Sequence, residues 1–165
     1  AGEIRTARLL DSSLAGITRT AAFHSLRFPG LDRADVDHAV LIDTNHGPVL
    51  IVVDSKAWKP GTWVQFSAAE VRHDDSDEVR KSLMPLAVSK FVAEGFAGRA
   101  MTVIHASSGA VTVLGSQADA HLYVDSETLV ASILEGRATA PPLRTEAELE
   151  KFHRLTADLR RRLVG

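Results

Sequence analysis

Residues 36–64 read VDHAVLIDTNHGPVLIVVDSKAWKPGTWV, and how this stretch is read decides the fold. Two apolar, β-branched runs, 36–43 and 49–56, flank a polar segment in which Gly47-Pro48 supplies turn residues. Such a pattern predicts two strands paired antiparallel across a tight connection. Side chains alternate along a strand, so Asp54 and Lys56 share a face with Leu50 and Val52. On the preceding strand Asp37, Ala39 and Leu41 share one face while Val36, His38, Val40 and Ile42 share the other. An antiparallel pairing sets the start of the first strand beside the end of the second. Asp37 is therefore expected to approach Asp54.

Two carboxylates and an ammonium at one strand edge suit metal-assisted phosphodiester hydrolysis. Hard oxygen donors hold Mg²⁺ or Mn²⁺, which keeps several waters and can take a phosphate oxygen. The cation polarises phosphorus and acidifies a bound water, while a lysine orients that water or offsets negative charge in the transition state. The plain alternative is an ion pair between Asp54 and Lys56 at a strand end. His38, pointing away from Asp37, reads as a packed or supporting histidine rather than a direct ligand.

Asp37-His38, the apolar strand, the turn and then Val52-Val53-Asp54-Ser55-Lys56-x-Trp58-x-x-Gly61 resemble the nuclease-related domain (NERD), a branch of the PD-(D/E)XK nuclease superfamily. The resemblance runs from about Gly2 to about Leu134. It implies an α/β fold with a mixed central β-sheet flanked by helices, the PD-(D/E)XK (restriction-endonuclease-like) core. It implies Mg²⁺ (or Mn²⁺) held by Asp37, Asp54 and the Ser55 main-chain carbonyl, and Lys56 as the catalytic lysine. Glu3, in the Gly2-Glu3 pair that resembles the family's opening motif, matches an acid on the first helix that completes the site. By residue type alone, an acid in a first helical turn also simply complements the helix dipole. The expected activity is a DNA endonuclease that leaves a 5′-phosphate. The chain departs from the family where an Asn-Pro-x-x-Gln pattern is usual: here Met84-Pro85-Leu86-Ala87-Val88 keeps the proline and lacks the glutamine, with Lys90 or Lys81 as substitute candidates. That departure motivates a second reading, a catalytically degenerate nucleic-acid-binding or assembly module on a nuclease fold.

With 165 residues, 45% of them hydrophobic, the chain can bury a core without staples. It has no Cys, which removes disulfides, thiolate metal sites and a cysteine nucleophile, and it suits a cytoplasmic protein. No apolar run is long enough to span a bilayer, so no membrane partner is expected. A formal net charge of −2 argues against a protein that coats nucleic acid through many phosphate contacts, but leaves room for a local site that attracts phosphate once a cation is loaded. NTPase phosphate loops, dinucleotide fingerprints and Gly-x-Ser-x-Gly elbows are all missing.

Outside the central stretch, helical periodicity predicts a helix over 3–14 and strands over 21–28, 62–66, 101–106, 111–114 and 121–124. A helix is expected over 77–95, capped by Asp75 or Ser76 and kinked or restarted at Pro85, and another over 127–134. Trp58 and Trp63 flank Lys59-Pro60-Gly61 and either stack on bases or cap the open end of the core. The expected organisation is a nuclease-like domain over 1–136, a linker over 137–144 containing Pro141-Pro142, and an amphipathic helix over 145–165. Thr145 with Glu148 forms a capping box, and Leu149, Phe152, Leu155, Leu159 and Leu163 stripe one face. That stripe docks on this domain, on a partner domain or on a second copy.

Overall fold

The computed structural model describes residues 2–30, 35–67, 69–105, 111–115, 121–137 and 145–164. Residues 31–34, the last residue of the strand expected over 101–106 and the Pro141-Pro142 segment fall outside the described residues. The elements are α1 (Gly2–Leu14), β1 (Thr20–Arg27), β2 (Asp35–Thr44), β3 (Gly47–Ala57), β4 (Gly61–Gln65), β5 (Glu70–His73), β6 (Val79–Lys81), α2 (Met84–Ala93), β7 (Ala97–His105), β8 (Val111–Leu114), β9 (His121–Asp125), α3 (Leu129–Leu134) and α4 (Glu146–Arg161). They form a mixed α/β structure with two mixed sheets, one of five strands in the order β1-β2-β3-β7-β9 and one of four in the order β6-β5-β4-β8.

The quoted stretch forms the centre of the larger sheet. β2 and β3 pair antiparallel with Thr44 opposite Gly47 and His38 opposite Val53, around the tight Asn45-His46 turn. Gly47 takes a positive φ of 108°, and the Thr44 hydroxyl donates to its carbonyl at 2.7 Å. β3 then pairs parallel with β7, and β7 with β9. Leu50, Ile51, Val52, Val53 and Asp54 are consecutively buried because β3 lies mid-sheet with both faces covered. Gly98 lets β7 come close: a Cβ there would sit 3.1 Å from the Leu50 carbonyl oxygen.

One sheet face carries Ala39, Leu41, Leu50, Val52 and Ala100 against Met84, Ala87 and Phe91 of α2 and Phe152 and Leu159 of α4. The other carries Val40, Ile42, Ile51, Val53, Met101 and Val103 against Leu10 and Leu14 of α1 and Leu129 and Ile133 of α3. The smaller sheet closes over the end of the first face, where Trp58, Trp63, Val71, Ile104 and Tyr123 form a third cluster.

The helix expected over 77–95 begins later. Residues 79–81 extend the smaller sheet as an exposed edge strand, and α2 starts at Met84 with Pro85 in its first turn. Proline is favoured there because its missing N–H would be unpaired anyway. Asp75 and Ser76 therefore cap no helix. They lie in the turn between β5 and β6, where the Ser76 hydroxyl receives the Glu78 amide at 3.3 Å. The strand β5 over Glu70–His73 had no sequence expectation, being too short and too charged to show alternation.

The capping box at Thr145 is present: its hydroxyl accepts the Glu148 amide, and the Glu148 carboxylate accepts the Thr145 amide at 3.1 Å. The stripe of α4 packs on its own sheet through Phe152, Leu155 and Leu159. Arg162 follows, its guanidinium 5.5 Å from the Phe91 ring centre and paired with Glu94 and Asp158. Leu163 then bridges Leu26 of β1. Leu159→Ala should lower stability by about 2–5 kcal/mol in urea unfolding, whereas Leu149→Ala, at a position 38% exposed, should stay within about 0.5 kcal/mol of wild type.

Candidate functional site

The register of β2 and β3 sets Asp37 one step beyond the His38–Val53 pair and therefore opposite Asp54. Both carboxylates rise from the same sheet face. Asp37 Oδ2 accepts the main-chain amide of Ser55 at 3.0 Å, taking up a donor at the point where the ladder ends. The N–H and C=O of one strand residue project the same way, so the Ser55 carbonyl also emerges on the Asp37 side.

Asp54 is the most heavily buried member of the set, at 3% exposure. Its Oδ1 accepts the Thr102 hydroxyl. Its Oδ2 lies 3.4 Å from Lys56 Nζ and makes a long 3.5 Å contact with the Ser82 hydroxyl. Burial pushes the Asp54 carboxyl above the usual carboxylate range, and the neighbouring Asp37 charge adds to it, against the opposing pull of Thr102 and Lys56. A carboxylate so placed is a strained anion that gains from an added positive charge. Lys56 has 40% of its side chain exposed, so its ammonium reaches solvent while its stem lies along the strand.

Thr102 and His121 lie behind Asp54, each with no exposed surface. His121 Nε2 is 2.7 Å from the Thr102 hydroxyl, its ring stacks on Tyr123 at 4.3 Å, and its carbonyl accepts the Gln65 amide at 3.0 Å. The Tyr123 hydroxyl is buried and finds no hydrogen-bond partner among the described residues. Burial, with the Asp54 and Glu70 charges nearby, raises its pKa, so it stays a proton donor.

The opposite face holds a separate chain of polar contacts. Asp11 Oδ1 to His24 Nε2 is 2.7 Å, His24 Nδ1 to His38 Nδ1 is 2.9 Å, and His38 Nε2 to the Ser55 hydroxyl is 3.4 Å. The Ser55 hydroxyl donates to Thr6 at 2.8 Å, and Thr6 lies 2.9 Å from His105 Nε2. His38 thus points away from Asp37 and supports Ser55 from below. Burial holds its pKa down at about 4, with the adjacent His24 adding to the effect, so it stays neutral near pH 7.

Other candidate residues fall elsewhere. Glu3 is exposed in the first turn of α1 and makes no hydrogen bond or ion pair among the described residues. Trp58 is 7% exposed and lies between Trp63 and Tyr123, so it caps the core and offers no free face to a base. Lys59 pairs with Glu78 at 3.0 Å. Lys90 is exposed in the last turn of α2, and Lys81 is exposed on the edge strand β6. His73, Asp74 and Asp75 bring ligand-type atoms together, but both His73 nitrogens are occupied, Nε2 with the Pro60 carbonyl at 3.0 Å and Nδ1 with the Asp75 amide at 3.2 Å. That cluster anchors a turn.

Sequence reasoning missed Thr102, His121 and Ser82. Threonine is an ordinary strand residue and His121 opens its strand, so neither broke the pattern; their contacts span 48 and 19 residues of chain.

In comparisons with known proteins, no family model, no curated sequence and no solved structure matches the chain. The resemblance to the nuclease-related domain rests on the motif residues themselves.

Asp54→Asn keeps the shape and can still accept from Thr102, but removes the buried charge. The wild-type carboxyl has a folded pKa above its unfolded value, so its contribution to stability is fully present below about pH 3.8 and is lost as pH rises through the folded value. Asp54→Asn should therefore melt above wild type at pH 7–8 without divalent cation, with the gap closing as pH falls towards 4; a gap that does not change with pH would contradict the assignment of a raised carboxyl.

Proposed function

We propose that the chain is a metal-dependent nuclease with a PD-(D/E)XK-type core, hydrolysing phosphodiester bonds in DNA. The observation that carries this reading is the meeting of Asp37, Asp54 and Lys56 at one end of the β2–β3 pair, with both carboxylates on one face and Lys56 Nζ 3.4 Å from Asp54.

The donor set fits a hard divalent ion. Asp37, Asp54 and the Ser55 carbonyl are all oxygen donors, and the raised Asp54 carboxyl gives a cation something to relieve. When bound, Mg²⁺ or Mn²⁺ would supply Lewis-acid polarisation of the phosphate and a more acidic water. The residues of the chain do the rest. Asp37 and Asp54 fix the position at which the phosphate is received. Lys56, partly exposed beside them, donates hydrogen bonds that orient the attacking water and offset charge on the phosphoryl oxygens. Water oxygen bonds to phosphorus as its proton passes to solvent, the P–O3′ bond breaks, O3′ takes a proton from solvent, and the products are a 5′-phosphate and a 3′-hydroxyl. Glu3, exposed on the first turn of α1, which packs on the opposite sheet face, has no part in this site as the chain is folded.

A second reading has one observation in its favour: the start of α2 lacks the family glutamine, as Met84 to Val88 shows. On that reading the fold binds nucleic acid or assembles a complex without cutting.

Cleavage of single-stranded, duplex and branched DNA in Mg²⁺ or Mn²⁺ separates the two. The nuclease reading expects cutting that EDTA abolishes, with Asp54→Asn and Lys56→Ala each lowering the rate about 10²-fold or more. Cutting that survives both substitutions would come from a contaminant. A wild-type protein that binds these DNAs but cuts none is the binding module.

A further inference from the structure

The inference concerns how Asp54 is held, and it rests on the metal-dependent reading above. Thr102 sits opposite Asp54 in the parallel β3–β7 register, on the same sheet face. Its hydroxyl has one hydrogen and faces two partners, Asp54 Oδ1 and His121 Nε2. An ionised carboxylate can only accept, so the hydrogen goes to Asp54 and the histidine must donate through Nε2–H. With Asp54 ionised, the form that holds a cation, the order is His121 to Thr102 to Asp54.

A buried hydroxyl and a buried imidazole are costly wherever their hydrogen bonds are unmade. Valine would fill the volume of Thr102 and suit a central strand equally well. What the threonine adds is a donor aimed at one carboxylate oxygen. That bond commits Oδ1 inward and leaves Oδ2 beside Lys56 Nζ at 3.4 Å, with only a long 3.5 Å contact to the Ser82 hydroxyl; it is the Lys56 side chain that is partly open to solvent. His121 is itself fixed, by stacking on Tyr123 and by the Gln65 amide on its carbonyl. The smaller sheet, which supplies Gln65 from β4, thereby reaches the carboxylate through two residues.

We propose that Thr102 and His121 are positioning residues that fix the rotamer of Asp54, so that Oδ2 alone is presented to a divalent cation. Neither touches substrate. Their effect is on cation affinity, because a carboxylate free to turn must be ordered at the moment of binding.

The test is Mn²⁺ binding to the DNA-free protein, followed by electron paramagnetic resonance, for wild type, Asp54→Asn, Thr102→Val and Thr102→Ser, each first checked for a cooperative melt. Thr102→Val should bind Mn²⁺ about 10–100-fold more weakly, with turnover at saturating Mn²⁺ largely recovered. Thr102→Ser restores the donor and should bind close to wild type. Wild-type affinity in Thr102→Val overturns the positioning role and leaves the nuclease reading standing, as does a Thr102→Ser protein as weak as Thr102→Val, since the hydroxyl is then not the agent. Wild type that binds no Mn²⁺, or Asp54→Asn that binds it equally well, removes the metal-dependent reading and the positioning role with it.

Discussion

The pairing of β2 with β3 is the constraint on which the structure turns. A shift of one residue in that pairing would carry every side chain of the moved strand to the other face, exchanging Val52 and Asp54 for Val53 and Ser55. Both faces are apolar and covered, one by α2 and α4 and the other by α1 and α3, so both resist a slip. The tight turn at Asn45-His46 fixes the same register from its other end. Asp37 and Asp54 are thus brought together by hydrophobic burial and turn geometry acting elsewhere along the strands, with no attraction between them. Two like charges would not choose the arrangement.

That arrangement has a cost the protein carries in its native state. Asp54 lies deep in the sheet and is served by the Thr102 hydroxyl, a long contact with Ser82 and one lysine at 3.4 Å, and burial still dominates its ionisation. A core optimised for stability would place an apolar residue there. Keeping a desolvated carboxylate beside another is the kind of local conflict found where function sets the sequence. The paired ammonium of Lys56 offsets part of the charge without closing the site to solvent.

The two faces at this end of the sheet handle polar groups differently. On the carboxylate face, the smaller sheet closes over Thr102, His121 and Tyr123. On the other, α1 lays Thr6 against Ser55 and His105, and the His24–His38 contact continues the chain to Asp11 at the surface. Ser55 joins the two: its amide serves Asp37 and its hydroxyl serves the network below. The same short segment that carries the candidate site therefore also ties α1 to the sheet.

Much of this was legible in the residues alone. Alternation in 36–43 and 49–56 gave two strands, the shared face of Asp54 and Lys56 and the approach of Asp37 to Asp54, because period-two patterning is a local property; the turn falls at Asn45-His46, while Gly47 and Pro48, expected to make it, already pair in β3. The Thr145–Glu148 cap was equally local, and so was the orientation of His38 away from Asp37. The start of α2 differs from the expectation because charged residues before a proline look like a helix N-terminus, while here they form a hairpin paired with β4 and tied by Lys59 to Glu78. Trp58 offered two readings by type, and packing against Trp63 and Tyr123 chose the core. Thr102 and His121 carried no signal at all. The sequence determined which side chains share a face, since that follows from backbone periodicity; the tertiary structure decided what stands behind them, since parallel pairing joins strands whose residues lie far apart in the chain.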